Sequence, residues 1–412
     1  MAKNPQRYVV GLDIGTSKVA VAIGERKENG SLDVVGVGIA PSRGLRKGVV
    51  VNLDATVESV KQAVEEAELM AGISIERAYV GFAGGHVKGI NCRGVVAVSG
   101  RDREVTRDDV SRVLEAARAV SMPQDRTIFH VLPQEYIVDE QDGIGDPMGM
   151  TGSRLEASVH LVTGSTSSIQ NTVNCVNRAG IEVVETVLDP IAAAEAVLTH
   201  DERELGVALV DIGGGTTDLA IFRHGAVIHT AVLPAGGDHF TNDIAVGLRT
   251  PIPEAEKIKK KHGCALGTLV GEGGTIEVPG VGGRKARTLS RQILCEILEP
   301  RTEEIFSLVQ EDIQRAGLDG SINAGLVLCG GGAILEGVPE VAEQVFDLPV
   351  RRGVPTGIGG LVDVVSGPNF ATVIGLLKYG ERRQPERERV PTPAILLGRM
   401  GGSMRRWFGE LF

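Results

Sequence analysis

Short apolar runs broken by glycine turns open the chain. Residues 8–14, 18–24 and 32–40 each read as a strand, because their apolar residues cluster between Gly-containing turns. The period then changes. Val57, Val60, Val64 and Ala67 recur at helical spacing, predicting a helix over 54–70 with Asp54 as its N-cap. A strand over 78–83 ends at Gly84 and Gly85. Residues 84–163 change character again, to short strands, a charged helix over 108–119 behind the cap-like Thr106, and a Gly-rich loop over 142–152. This reads as an inserted α/β module.

From Ser165 a helix, a strand and a second helix lead to a strand pair over 206–211 and 218–222 that repeats the start of the chain. Near the start an apolar strand leads into Asp13, Ile14, Gly15 and Thr16. In the middle an equivalent strand leads into Asp211, Ile212, Gly213, Gly214, Gly215, Thr216 and Thr217. Two related halves facing each other are the simplest architecture. A third glycine cluster, Gly330, Gly331 and Gly332, follows a strand over 326–329. Residues 381–390, rich in Arg, Glu, Gln and Pro, read as an exposed linker.

Glycine turns at strand ends let backbone N–H groups approach a phosphate, and nearby hydroxyls add donors. Gly15, Thr16, Ser17 and Lys18 offer this once, and Gly213 to Thr217 offer it again. Asp13 and Asp211, immediately before the turns, are hard oxygen donors suited to Mg²⁺, usually through its retained waters. A single Asp-Ile-Gly-Thr turn is as readily an ordinary hairpin. Two copies and a third glycine cluster favour phosphate. Neither G-x-x-x-x-G-K-[ST] nor a helix-opening G-x-G-x-x-G is present, which excludes P-loop and dinucleotide-binding readings.

Length and composition then narrow the class. The chain has 412 residues, room for two to three domains, and a net charge of -10, too acidic for a general nucleic-acid coat. The five cysteines form no C-x-x-C pair, and no H-E-x-x-H or Cys/His spacing suggests zinc. No signal-peptide pattern and no apolar run near eighteen residues occurs, so a cytoplasmic body is expected. At the C-terminus, however, Met404, Trp407, Phe408, Leu411 and Phe412 share one helical face, flanked by Arg399, Arg405 and Arg406. Such a helix either docks on its own core or lies in an anionic membrane interface. The charged linker before it and its short length favour the membrane.

The motifs resemble those of the actin, Hsp70 and sugar-kinase superfamily. Residues 11–19 look like its first phosphate loop, 209–222 like its second, 326–338 like its adenosine loop, and 188–194 and 370–380 like its two interdomain connections. Within that superfamily nearly the whole chain resembles the FtsA family of bacterial cell-division proteins, most specifically at 198–206, 260–267 and 278–284.

The resemblance implies an α/β, two-lobed actin-like ATPase fold, with duplicated ribonuclease H-like halves and the inserted module in the first lobe. The first lobe core would comprise 1–83, 164–195 and 356–380, and the insert 84–163. The second lobe core would comprise 196–230 and 301–355, and its subdomain 231–300. A linker over 381–398 and a membrane-targeting helix over 399–412 would follow. ATP and Mg²⁺ are the implied cofactors, with Gly237, Glu256 and Lys259 joining the glycine clusters around the nucleotide. In related filament ATPases a Glu or Gln near the helix after the inserted module polarises the attacking water. Only Gln170 matches here, so ATP binding follows more safely than hydrolysis. The implied partners are the C-terminal tail of FtsZ, with Arg284, Arg287 and Arg291 as candidate contacts, further copies of the chain in a filament, anionic inner-membrane lipid and other divisome proteins. A pilus-assembly ATPase of the same fold, a sugar kinase and an Hsp70-type ATPase are the alternatives. The kinase gains nothing from the C-terminal stripe, and too few residues remain for a peptide-binding domain.

Overall fold

The computed structural model describes residues 7–100, 102–271 and 273–389, with side chains to Arg383. The apolar stripe of Met404, Trp407, Phe408, Leu411 and Phe412, with the flanking Arg405 and Arg406, lies outside the described residues.

Two sheets with matching topology form the body. In the first, Tyr8–Ile14, Lys18–Arg26 and Leu32–Pro41 form an antiparallel meander. Arg77–Phe82 then joins Tyr8–Ile14 in parallel, and Glu182–Leu188 extends that edge. In the second, Val207–Ile212, Thr217–Arg223 and Ala226–Leu233 form the meander, with Leu326–Cys329 and then Val350–Arg352 added in parallel. The repeat seen at Asp13 and Asp211 is therefore a repeat of whole half-folds. Every residue of Val207–Ile212 is buried, as a central strand covered on both faces requires.

The helix Leu53–Ala71 buries Val57, Val60, Val64 and Ala67 against the first sheet, as its spacing predicted. Its cap is Asn52, not Asp54. Asn52 is extended and its side chain accepts from the Ala55 N–H, whereas Asp54 is already helical and pairs with Arg178 at 2.7 Å. The insert forms its own sheet, ordered Lys88–Ala97, Arg154–Ser165, Arg126–Val138 and Gln141–Ile144, and the helix Arg107–Arg118 packs on Lys88–Ala97 and Arg154–Ser165. Its three main strands run 10, 12 and 13 residues, longer than the short strands expected. Asn91, Gln134 and His160 interrupt the apolar pattern because that region of the sheet meets a polar partner.

Two helices join the lobes. Asp189–Val197 and Ala371–Arg389 cross so closely that an ideal Cβ on Gly375 would lie 1.8 Å from the Ala192 carbonyl oxygen. Only glycine permits that approach. The second helix continues through Arg389, across Pro385, into the segment expected as a linker from residue 381. Pro385 disfavours that extension, but Glu, Arg and Gln are good helix formers, and a helix already packed on its partner extends at low cost in nucleation.

Candidate functional site

The two duplicated turns meet face to face. The Gly15 N–H donates to the Lys18 carbonyl at 3.0 Å, and in the other half the Gly213 N–H donates to the Thr216 carbonyl at 2.9 Å, the same turn twice. An added Cβ at Gly214 would lie 3.0 Å from the Ser17 Cβ, and one at Gly215 would lie 2.8 Å from the Thr16 Oγ1. Larger residues at either position would force the turns apart. Between and above them is a cleft of about 610 Å³, a size suited to one nucleotide-sized ligand.

Most residues singled out in the sequence line this cleft: Asp13, Gly15, Thr16, Ser17, Lys18, Asp211, Gly213, Gly214, Thr216, Gly237, Glu256, Lys259, Gly330, Gly331 and Gly332. Gly215 is spent on loop contact instead. Thr217 is fully buried, and its hydroxyl donates to the Ala235 carbonyl at 2.9 Å, so it braces the loop from behind. Gly330 has φ +84°, and a Cβ there would strike the Asp211 carboxylate. Gly331 has open space at its Cβ position, a bare backbone wall for a flat ligand group.

Polar groups converge on the cleft floor. Lys18 donates from Nζ to the Asn369 carbonyl at 2.8 Å and lies 4.1 Å from the Phe370 ring centroid, and burial lowers its pKa. Burial pushes the Asp13 carboxyl up to about 6, with Lys18 opposing and Asp211 adding to the rise. Burial likewise raises Asp211, against hydrogen bonds from Thr372 and Cys329. At the far wall Lys259 Nζ donates to the Gly237 carbonyl at 2.9 Å and pairs with Glu256 at 2.7 Å. Burial opposes the charge on Glu256, but the bonds from Lys259 and Thr241 outweigh it and hold its pKa below the ordinary range.

Two further carboxylates on the floor escaped the sequence reading. Asp189 and Asp218 are raised well above the ordinary carboxylate range, by burial first and then by neighbouring aspartates. One oxygen of each, Oδ1, has no hydrogen-bond partner. Asp189 opens the helix Asp189–Val197, and its signal was the Leu188-Asp189-Pro190 start of the first interdomain connection. Gln170, by contrast, is on the outside of Thr166–Arg178, donates to the Asn174 side chain at 2.9 Å and does not line the cleft. The carboxylate facing the floor beside the first connection is Asp189.

Arg291 is also placed differently from its expected role. It lines the cleft's outer end, where its Nε donates to the His262 carbonyl at 2.8 Å and its guanidinium pairs with Glu336 at 2.5 Å. Arg287, on the strand Arg287–Ser290, donates to the Leu248 carbonyl, and Arg284 is exposed beside it. The three arginines therefore do not form one basic patch of free guanidiniums.

The donor set fits a phosphate chain with a divalent cation. Glycine backbone, a lysine and the N-terminus of Gly237–Gly247 attract anions, while Asp189 and Asp218 leave unpartnered buried carboxylate oxygens, beside the buried Asp13 and Asp211, that a hydrated cation would satisfy. Among the described residues no three His, Cys, Asp or Glu side chains form a direct metal-binding group.

Known proteins resemble this chain in sequence and, more distantly, in fold. The pattern described as "Cell division protein FtsA" matches residues 208–375, and "SHS2 domain inserted in FTSA" matches 84–163. The cell division protein FtsA of Pseudomonas aeruginosa is 53% identical over 380 residues, 92% of this chain and 91% of that one. That of Neisseria meningitidis is 44% identical over 412 residues, 99% of each chain. Among solved structures, the PilM-PilN type IV pilus biogenesis complex aligns with a TM-score of 0.66 at 17% identity, covering 90% of this chain and 98% of that one. MreB5 of Spiroplasma citri bound to ADP aligns at 0.57 and 18% identity, covering 94% and 100%. The distant structures share the actin-like fold alone, whereas the close relatives match along nearly the full length: this chain belongs to the FtsA family of cell division proteins.

Proposed function

We propose that the chain is an ATP-binding, filament-forming division protein that holds an FtsZ ring on the cytoplasmic face of the inner membrane. The observation that carries the nucleotide part is the pairing of two equivalent glycine turns across one cleft, floored by Lys18 and by aspartates with unpartnered oxygens. Gly15 to Lys18 and Gly213 to Thr216 would hold the phosphates, with Gly237, Lys259, Gly331 and Gly332 around the adenosine. Asp13 and Asp211 would hold Mg²⁺ through water, and the cation supplies charge neutralisation for the phosphates and carboxylates. Asp189 is the group available to orient a water toward the phosphate end.

Because both turns face the same ligand, nucleotide closes the lobes on each other, and the closed shape is the one competent to form a filament. The C-terminal stripe around Trp407 supplies a weak lipid anchor, and polymerisation multiplies it. The residue ranges assigned above to lobes, insert and subdomain are the working division. Family membership supports FtsZ-tail binding and recruitment of later divisome proteins. Arg284 is the best placed of the three arginine candidates, since Arg287 and Arg291 are engaged within the chain.

The test is co-sedimentation with anionic and neutral liposomes in the presence of Mg²⁺ and ATP. The intact chain is compared with one ending at Val390 and one carrying Trp407→Glu. Binding by the intact chain alone, stronger on anionic lipid, supports the reading, and equal sedimentation of all three overturns the membrane part of it.

A further inference from the structure

The insert belongs by chain connection to the first lobe, yet it is fastened to the second. The strand Ala226–Leu233 is the edge of the second sheet, paired only with Thr217–Arg223. Its register slips at Ile228, which falls between the partnered residues Val227 and His229, so the Ile228 carbonyl is released from the ladder. Asn91 of the insert donates its Nδ2 to that carbonyl at 3.1 Å. A second slip, in the strand Arg126–Val138, leaves Gln134 out of register, and its Nε2 donates to the Val227 carbonyl at 3.0 Å and to Asn91 Oδ1 at 3.2 Å. Two bulges on opposite sides of the contact thus aim polar groups at each other.

His160 completes the network. It is the cross-strand partner of Asn91, is 1% exposed, and sits with Nδ1 2.6 Å from Asn91 Oδ1 and Nε2 2.9 Å from Thr230 Oγ1. Asn91 Nδ2 is committed to Ile228, so Oδ1 can only accept, which requires the proton on His160 Nδ1. Nε2 then accepts from the Thr230 hydroxyl. The contact has no room to spare, since a Cβ at Gly89 would lie 2.5 Å from His160 Cε1 and 2.7 Å from Thr230 Oγ1. Asn91 is exposed and Gln134 half-buried, whereas His160 and Thr230 are buried, so the discrete arrangement rests on the His160–Thr230 bond, whose opening would leave desolvated groups unpaired.

The strand carrying Thr230 also reaches the cleft. Thr230 is the ladder partner of Ala220, and Leu233 that of Thr217, at the end of the second glycine turn. Beyond Leu233 the chain continues to Ala235, whose carbonyl accepts from Thr217, and to Gly237, whose N–H donates to the Gly213 carbonyl at 2.8 Å. One rigid strand pair therefore carries the phosphate turn at one end and the insert's docking groups farther along.

We infer that Asn91, Gln134, His160 and Thr230 form a latch that couples the inserted module to occupation of the cleft: the docked insert holds the second glycine turn in place, and a bound nucleotide in turn fixes the insert. This rests on the reading of the cleft as a nucleotide site. By reciprocity, loosening the latch changes nucleotide affinity, and nucleotide changes the order of the insert, by one coupling free energy.

The test uses the full chain with Mg²⁺ and a fluorescent ATP analogue, together with hydrogen–deuterium exchange. Thr230→Val and Asn91→Ala should each weaken affinity about five- to tenfold, at the low end of the usual range of such couplings, and Thr230→Ser should restore it. In the unsubstituted chain, nucleotide should slow exchange in Lys88–Ala97 and Arg154–Ser165, and this slowing should be lost in Thr230→Val. Unchanged affinity in both variants, or insert exchange indifferent to nucleotide while the unsubstituted chain binds it, overturns the latch alone. An unsubstituted chain that binds no nucleotide overturns the cleft reading and the latch together.

Discussion

Thr372 donates its hydroxyl to Asp211 Oδ2 at 3.1 Å, joining the start of the second connecting helix to the carboxylate beside the second glycine turn. Lys18 makes the corresponding contact from the first half, reaching the Asn369 carbonyl one turn earlier. The helix that crosses between the lobes is therefore tied at its origin to both halves of the site.

Thr372→Val removes that donor while keeping the shape, and leaves a buried carboxylate oxygen short of a partner. A loss of about 1–3 kcal/mol is expected, read as a lower midpoint in chemical denaturation. Mg²⁺ with ATP should recover part of the loss by supplying a cation near Asp211.

Gly375→Ala should be more damaging. The new Cβ meets backbone, the Ala192 carbonyl oxygen at 1.8 Å, and not a movable side chain. A cost at the upper end of about 1–3 kcal/mol for overpacking is expected, with a clear fall in melting temperature. A Gly375→Ala chain as stable as the parent would mean that the two connecting helices do not cross this closely.

Much of this was legible in the chain. The two Asp-Ile-Gly turns announced both the duplication and the cleft, because phosphate approach and tight turning demand the same small residues at the same place. Asp189 and Asp218 were not singled out, since each is one carboxylate within a segment read for another feature, the first connection and the second glycine turn, and acquires its role only when the two halves close over the cleft. The contacts of Arg291 were not legible for a related reason: its neighbours in sequence are basic and polar, but its partners His262 and Glu336 are brought to it by the fold. The Asn91, Gln134 and His160 network depends on two register slips that no alternation pattern reveals.

Acid should destabilise the chain through two histidines. Burial first, then the charges of Arg383 and His160, lowers His130 to about 3, and its Nε2 accepts from the Leu188 N–H at 3.0 Å. Burial first, then His229, lowers His160 to about 4. Both are neutral when folded and bind protons more readily when unfolded. Their contribution is therefore intact above about pH 6.5 and is lost as the pH falls from there to about 4 for His160 and about 3 for His130. Melting temperatures should drop across that window, and His130→Gln should shallow the slope.

Asp13 acts with the opposite sign. Its folded pKa, raised to about 6 from an ordinary 3.8, means that the ligand-free fold loses stability as the pH rises between those values. A cation and phosphate chain in the cleft remove that penalty, so the thermal shift on adding Mg²⁺ and ATP should be larger at pH 7 than at pH 5. Equal shifts at the two pH values would indicate that ligand binds away from Asp13.

The most direct measurement is a calorimetric titration of Mg²⁺ and ATP into the full chain, repeated with Lys18→Ala and with Gly214→Val. Gly214→Val places bulk 3.0 Å from the Ser17 Cβ, between the two turns. A single saturable site in the parent, lost in Gly214→Val and weakened at least tenfold in Lys18→Ala, is the result expected of a cleft closed by paired glycine turns. No saturable heat in the parent, or equal affinity in all three chains, would contradict it.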